Sequence, residues 1–123
     1  MAASFARIYT GPDGHSHVED MELPFRPFLD TEGAYGDGTP LQAATGITIR
    51  RSPPGYCLEW HNAPRRQYTI TLAGQVEIEA SDGVVRRFGP GAVLLAEDLT
   101  GRGHTTRVVG SEPRVYIVVP LAG

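Results

Sequence analysis

Short apolar runs separated by glycine- and proline-rich turns extend along most of this chain. In the stretch 47–50, isoleucines alternate with Thr48 and Arg50, and a Ser-Pro-Pro-Gly segment then interrupts the run. Alternation with a period of two residues is typical of a β-strand with one buried face, whereas an amphipathic helix repeats every 3.6 residues. No segment of the chain shows convincing helical periodicity. The pattern therefore predicts an all-β protein.

The same reasoning predicts a series of short strands with turns at even spacing, which is typical of a β-sandwich or a closed barrel. The predicted strands cover residues 5–10, 15–19, 47–51, 56–61, 67–72, 75–80, 84–88, 93–96, 104–109 and 114–119. The segment 24–40 carries Pro, Gly and Asp throughout, and we predict a long loop there.

A chain of 123 residues fits a single domain. Within it we expect N-terminal strands and a long arm in residues 1–44, packed on the barrel or on a partner subunit. We expect one β-barrel in residues 45–123.

Composition excludes several kinds of partner. The formal net charge is −3 and the chain contains no lysine, so the basic face that nucleic-acid binding requires is not expected. No apolar run approaches the roughly 20 residues needed to span a bilayer, and the N-terminus lacks the apolar stretch of a signal peptide. Cys57 is the single cysteine, which fits a reducing compartment. We therefore expect a cytoplasmic protein with no membrane partner.

Two segments carry a resemblance to a known family. The first runs from Trp60 to Gln67 and is followed by Gly74, and the second runs from residue 89 to 95 and is followed by His104. Their spacing resembles the two motifs of the cupins, and the resemblance covers residues 45–120. It implies a cupin-like double-stranded β-helix, or jelly-roll, barrel in one domain.

In cupins these motifs usually hold a divalent metal through two histidines, a glutamate and a final histidine. His61 and His104 match the first and last of these positions, but Ala63 stands at the second and Gln67 at the glutamate position. Ala63 cannot ligate a metal, and Gln67 offers only a neutral amide oxygen. The resemblance therefore implies a site at which Fe, Mn, Ni or Zn is bound weakly or not at all.

Strand alternation suggests a replacement for the missing carboxylate. If His61 points into the barrel, a period of two also turns Cys57 and Glu59 inward. Glu59 could then complete a metal site with His61, His104 and Gln67, or act as a general acid or base. For Cys57, a small buried apolar residue is the alternative interpretation.

Four further residues are candidate ligand contacts. Thr69 shares the strand face of Gln67, and Arg65 could clamp a carboxylate or enolate oxygen at the barrel mouth. The alternative for Arg65 is an ordinary solvated charge. Trp60 and Tyr68 are candidate ligand contacts, with core or rim aromatics as the other interpretation.

Other titratable residues have open roles. His15 and His17 add imidazoles to the site if the first strands reach across the barrel, and otherwise are structural or surface residues. Glu97 and Asp98 lie in the loop before His104, where they are either solvated or hydrogen-bonded to His104, which would set its tautomer.

Three functions are consistent with these residues. The first is a small-molecule isomerase, cyclase or lyase in which His61, His104 or Glu59 moves protons and Gln67 or an arginine stabilises an oxyanion. The second is a metal-dependent oxygenase with two histidines and one carboxylate. The third is a non-catalytic module that binds a small molecule. The resemblance and the long arm imply a homodimer in each case.

Overall fold

All regular structure in residues 3–123, the part of the chain that the computed structural model describes, is β-strand. The described residues form no helix that could span a membrane. The twelve strands are β1 (Ser4–Thr10), β2 (Ser16–Asp20), β3 (Arg26–Leu29), β4 (Tyr35–Gly38), β5 (Thr48–Ser52), β6 (Cys57–His61), β7 (Gln67–Ala73), β8 (Gln75–Ala80), β9 (Val85–Phe88), β10 (Ala92–Glu97), β11 (His104–Val109) and β12 (Arg114–Pro120).

These strands form two main sheets and one separate hairpin. The larger sheet has six strands in the order β2-β1-β10-β7-β12-β5, and the smaller has four in the order β6-β11-β8-β9. The first strand pairs with β10 in parallel, and the other pairs are antiparallel. The prediction of an all-β, barrel-like domain is confirmed.

The segment 24–40, predicted to be a loop, contains the β3–β4 hairpin. Pro27, Gly36 and Gly38 interrupt its apolar alternation, so the pattern of two strands is not visible in the sequence. Almost every residue of the two strands is exposed. The hairpin pairs with neither main sheet.

Strand β7 shows how the two faces of the large sheet are used. Its inward positions are polar, with Gln67 and Thr69 facing a cavity between the sheets. Its alternate positions, among them Tyr68 and Ile70, line a groove on the outer face. A sheet with one solvated face is normally apolar inside and polar outside. The reversal predicts a polar interior site and a covered outer face.

The hydrophobic core fills only one side of the sandwich. Its buried cluster comes mostly from β1, β8, β9 and β10, and it includes Ile8, Val76, Ile78, Phe88 and Leu94. The cavity lies on the other side, where β5, β6, β7, β11 and β12 face each other, and Ile78 and Leu94 line the boundary between the core and the cavity. Close packing on one side thus leaves room for a small molecule on the other.

The tight turn between β7 and β8 depends on Gly74. Its φ is +74°, and an added Cβ would lie 2.4 Å from the carbonyl oxygen of Pro113. Both the backbone conformation and the close approach therefore require glycine.

We expect Gly74→Ala to lower the free energy of unfolding by about 3 kcal/mol, because it adds a backbone clash to the cost of a positive φ. The control is Gly83→Ala, at φ +93° with no atom within 4 Å of an added Cβ. The control should lose only about 1 kcal/mol in urea unfolding. Equal losses in the two variants would show that the contact with Pro113 does not matter.

The outer face of the large sheet leaves an apolar groove of about 410 Å³. Phe5, Ile70 and Val93 on the sheet and Leu23 on the arm lie along it. The β3–β4 hairpin nearby exposes Phe28, Leu29 and Tyr35 at 43%, 76% and 84%. A two-stranded hairpin is at best marginally stable alone in water, so it needs a surface to pack on. The groove of a second copy offers that surface, and a two-fold axis would make the exchange reciprocal.

We therefore expect a homodimer in which the hairpin of each copy packs into the groove of the other. Sedimentation velocity should show a dimer for the natural chain and a monomer for Leu29→Asp, because a carboxylate in the groove has no partner. The control Val84→Asp changes an exposed apolar residue away from the groove and should remain dimeric. A monomeric natural chain would contradict the prediction.

Candidate active site

A cavity of about 210 Å³ lies between the two sheets. Ligand pockets for drug-sized molecules are usually above about 300 Å³, so this cavity suits a small metabolite. The lining residues are Arg50, Ser52, Tyr56, Leu58, His61, Ala63, Pro64, Gln67, Thr69, Ile78, Leu94, His104, Thr106, Val108, Arg114, Tyr116 and Val118.

Pairing of β6 with β11 brings His61 opposite His104 at one end of the cavity. The ring centroids are 4.4 Å apart and the ring planes are inclined by 57°. Gly103 allows this approach, since its φ is +72° and an added Cβ would lie 2.2 Å from the carbonyl oxygen of His61. Two imidazoles 43 positions apart in sequence thus line one enclosed space.

The tautomer of His61 follows from its hydrogen bond. Its Nδ1 lies 2.7 Å from the backbone carbonyl oxygen of Glu59, which can only accept, so Nδ1 carries a proton. Burial lowers the pKa of His61 below its ordinary value of 6.5, and the nearby His104 lowers it further. At neutral pH the ring is therefore neutral, with the lone pair on Nε2 available to accept a proton.

His104 is oriented by a buried carboxylate. Its Nδ1 lies 2.5 Å from Oδ2 of Asp98, and both residues are buried. The amide of Asn62 donates to the carbonyl oxygens of Asp98 and Thr100, which ties the loop after β10 to the end of β6. Asp98 is thus hydrogen-bonded to His104 rather than solvated, and a carboxylate on Nδ1 favours the tautomer with its proton there. Glu97 instead forms ion pairs with arginines at the surface.

The expectation that Glu59 and Cys57 point into the barrel is wrong. In β6, His61 pairs with His104 but Leu58 pairs with Thr106, so β6 has one more residue than β11 between these pairs. This bulge breaks the period of two. Leu58 and His61 consequently line the cavity, while Glu59 and Cys57 lie outside it with an Sγ–Oε1 distance of 3.6 Å. Cys57 is exposed.

Three of the expected ligand contacts also lie outside the cavity lining. Trp60 is half exposed and faces a surface depression, because it adjoins the inward His61 and so lies on the opposite face of β6. Tyr68 follows Gln67 on β7 and so faces the outer side, where its hydroxyl donates to Gln42. Arg65 is exposed and donates to Oε1 of Gln67 at 3.0 Å. Of the four, Thr69 lines the cavity.

His15 and His17 add no imidazole to the cavity. They lie near the turn between β8 and β9, where His15 bonds Ser81 at 3.1 Å and His17 bonds Asp82 at 2.9 Å. A second contact with Asp13 raises the pKa of His17. Strand β2 is at the edge of the large sheet, so its residues do not cross the barrel.

Arg114 is a cavity residue that sequence reasoning did not identify. It is 6% exposed, donates to Thr71 Oγ1 from Nε and Nη2, and stacks 4.1 Å over the ring centre of Tyr116. Burial lowers its pKa to about 10, so it keeps its charge at neutral pH. Alternation along β12 did not indicate it, because Val115, Ile117 and Val119 form the apolar set that such a pattern places inward, whereas the structure turns Arg114 and Tyr116 to the cavity.

The donor set of this site does not fit a resident transition metal. The free ring nitrogens of His61 and His104 are two suitable donors, but Oε1 of Gln67 already accepts from Arg65, and Glu59 lies outside. Within residues 3–123, no three His, Cys, Asp or Glu side chains are grouped as metal ligands would be. Resident Zn or Fe sites generally use three or four protein ligands. The four-residue metal site considered from the sequence is therefore not assembled.

Comparison with solved structures supports the fold. A double-stranded β-helix domain protein from Klebsiella pneumoniae is 24% identical, with a TM-score of 0.52 over 68% of each chain. The cupin domain of Cnp3 from Schizosaccharomyces pombe is 15% identical, with a TM-score of 0.52 over 87% of this chain and 72% of that domain. No protein-family model and no curated protein sequence matches the chain. Strand order, motif spacing and these likenesses together give this chain the cupin fold, a double-stranded β-helix.

Proposed function

We propose that this chain is a small-molecule enzyme of the isomerase, cyclase or lyase kind that works by proton transfer between its substrate and two histidines. One observation carries the proposal. His61 and His104 face the same cavity 4.4 Å apart, and each has its Nδ1 engaged by the protein, which leaves both Nε2 atoms for the substrate. Such a pair suits removal of a proton next to a carbonyl group and its return at a second atom.

His61 is the base in this scheme. Its lowered pKa keeps Nε2 unprotonated near neutral pH, and the Glu59 carbonyl holds the ring in the required tautomer. When Nε2 takes the substrate proton, the Nδ1–H group remains bonded to that carbonyl. No rearrangement of the protein is needed for the step.

His104 is the acid. In its protonated form it keeps Nδ1–H on Asp98 and presents Nε2–H to the cavity. Two positive charges on rings 4.4 Å apart would repel each other, so protonation of both rings at once is disfavoured. The Asp98 carboxylate is the counter-ion when His104 holds the proton.

Gln67 is suited to stabilising an oxyanion. Because its Oε1 accepts from Arg65, the amide NH₂ group is the end available to donate to a substrate oxygen. A preorganised donor of this kind is effective where negative charge develops in the transition state.

The scheme predicts catalysed exchange of hydrogen next to a carbonyl group. In D₂O, the chain should accelerate loss of the C3 proton signal of 2-oxobutanoate, 2-oxobutanamide or butanone in NMR spectra. His61→Ala and His104→Ala should each reduce the rate by about 10²- to 10⁴-fold, the usual contribution of an acid or base. The natural rate should fall as pH drops below 6.5 through the lowered pKa of His61.

The matched control for exchange is His17→Ala, which removes an imidazole outside the cavity and should leave the rate unchanged. Ligand-induced thermal stabilisation without any exchange would instead favour a non-catalytic binding protein. Equal rates in the natural chain and His61→Ala would rule out the proposed base.

Metal content separates this proposal from a metal-dependent oxygenase. Protein purified without chelators should carry less than about a tenth of an equivalent of Fe, Mn, Ni or Zn, because two imidazoles alone are an incomplete ligand set. Elemental analysis measures this directly. One equivalent of metal that is lost in His61→Ala would favour the oxygenase.

A further inference from the structure

The permanently charged side chains that line the cavity are all basic. Arg50 and Arg114 line it together with the two histidines, and no aspartate or glutamate is among its lining residues. Asp98 lies behind His104, with one of its oxygens on Nδ1 of that ring. A small space lined by cations and closed to acidic side chains favours an anionic occupant.

Arg114 is buried without a counter-ion. In the part of the chain that the structure describes, no carboxylate lies within 4.0 Å of its guanidinium group. Thr71 accepts from two of its five N–H donors, and the other three make no hydrogen bond to a described residue. A buried charge is costly unless it is paired, so the free donors need an anion.

The neighbouring strand β5 adds two polar side chains beside Arg114. In the β12–β5 pair, Arg114 lies opposite Ser52, and Tyr116 lies opposite Arg50. Arg50 is thus a diagonal neighbour of Arg114, at about 7 to 8 Å between backbones, with its side chain on the same cavity. We call Arg50, Ser52 and Arg114 the anion end of the cavity.

A row of polar side chains on β7 joins the anion end to the histidines. Thr71 bonds Arg114, Thr69 is next on the same face, and Gln67 lies two residues further on. The strand from Thr71 to Gln67 is about 13 Å long. The side chains of Arg114 and the histidines extend into the cavity from its two ends and shorten this distance, so a molecule of metabolite size can contact both. Oγ1 of Thr69 is buried without a hydrogen-bond partner in the described chain, midway along the row.

We propose that the anion end binds the carboxylate of a small organic acid, with Thr69 bonding an oxygen of the same molecule. The position of its reacting carbon beside His61 rests on the function proposed above. The guanidinium fork of Arg114 matches a carboxylate in geometry, and three unused donors allow a bidentate contact. The limited cavity volume of about 210 Å³ restricts the acid to a small one.

Calorimetric titration tests the anion end without requiring turnover. The probes are 2-oxobutanoate, butyrate and benzoate, each compared with its neutral amide. The natural chain should bind at least one acid about 10- to 100-fold more tightly than its amide, the range expected for charge-assisted hydrogen bonds. Arg114→Met should abolish this preference while leaving the affinity for the amide unchanged.

The matched control is Arg107→Met, which removes an exposed arginine on β11 outside the cavity and should keep the preference. If Arg114→Met does not fold, Arg114→Lys keeps the charge but not the fork and should lose most of the preference. Equal affinity for acids and amides, or no binding of any of the three acids up to about 10 mM, would overturn the proposal. So would an unchanged preference in Arg114→Met.

The outcomes separate this proposal from the catalytic one. Tight carboxylate binding that depends on Arg114, without hydrogen exchange in any probe, would support the anion end and contradict the acid–base function. Exchange that depends on His61 but proceeds equally fast in 2-oxobutanoate and 2-oxobutanamide would support the acid–base function and contradict the anion end. In His61→Ala we expect the carboxylate preference to persist, because Arg114 lies at the other end of the cavity.

Discussion

The pairing of β6 with β11 is the interaction on which the candidate site depends. It places His61 opposite His104, and the bulge in β6 turns His61 inward together with Leu58 rather than with Glu59. Gly103 allows the backbones to approach closely at that point. A regular ladder with His61 inward would have turned Glu59 and Cys57 toward the cavity in place of Leu58, because side chains alternate between the two faces of a strand.

Around this pair, the protein satisfies most polar groups and leaves a few without partners. Nδ1 of His61 bonds a backbone carbonyl, and Nδ1 of His104 bonds Asp98. The donors and acceptors without a partner in the described chain include the two Nε2 atoms, the hydroxyl of Thr69, Oδ1 of Asp98 behind His104 and part of the Arg114 guanidinium. Buried polar groups in native proteins are nearly always bonded, so unbonded groups around one cavity indicate where a ligand completes the set.

Much of the fold could be predicted from the alternation of apolar and polar residues and from the turn residues. The predicted strand 75–80 matches β8, and the predicted strand 104–109 matches β11. Motif spacing pointed to His61 and His104. The hairpin in 24–40 was missed because Pro27 and its glycines mask the alternation. Strand alternation or closeness in sequence to the motif was the only ground for expecting ligand contacts from Glu59, Trp60 and Tyr68. In the structure all three lie outside the cavity lining.

The order of residues alone was enough to predict the ten strands of the two main sheets, the turn glycines and the two histidines that the motif spacing aligns. These features depend on local backbone preference and on a repeat of two residues, which the chain carries in its order of residues. Three features required the folded chain: the face that each side chain takes after the bulge, the support of His104 by Asp98, and the burial of Arg114 without a counter-ion. Those facts depend on register between distant strands and on the desolvation of charge. Both arise only when the two sheets close over the cavity.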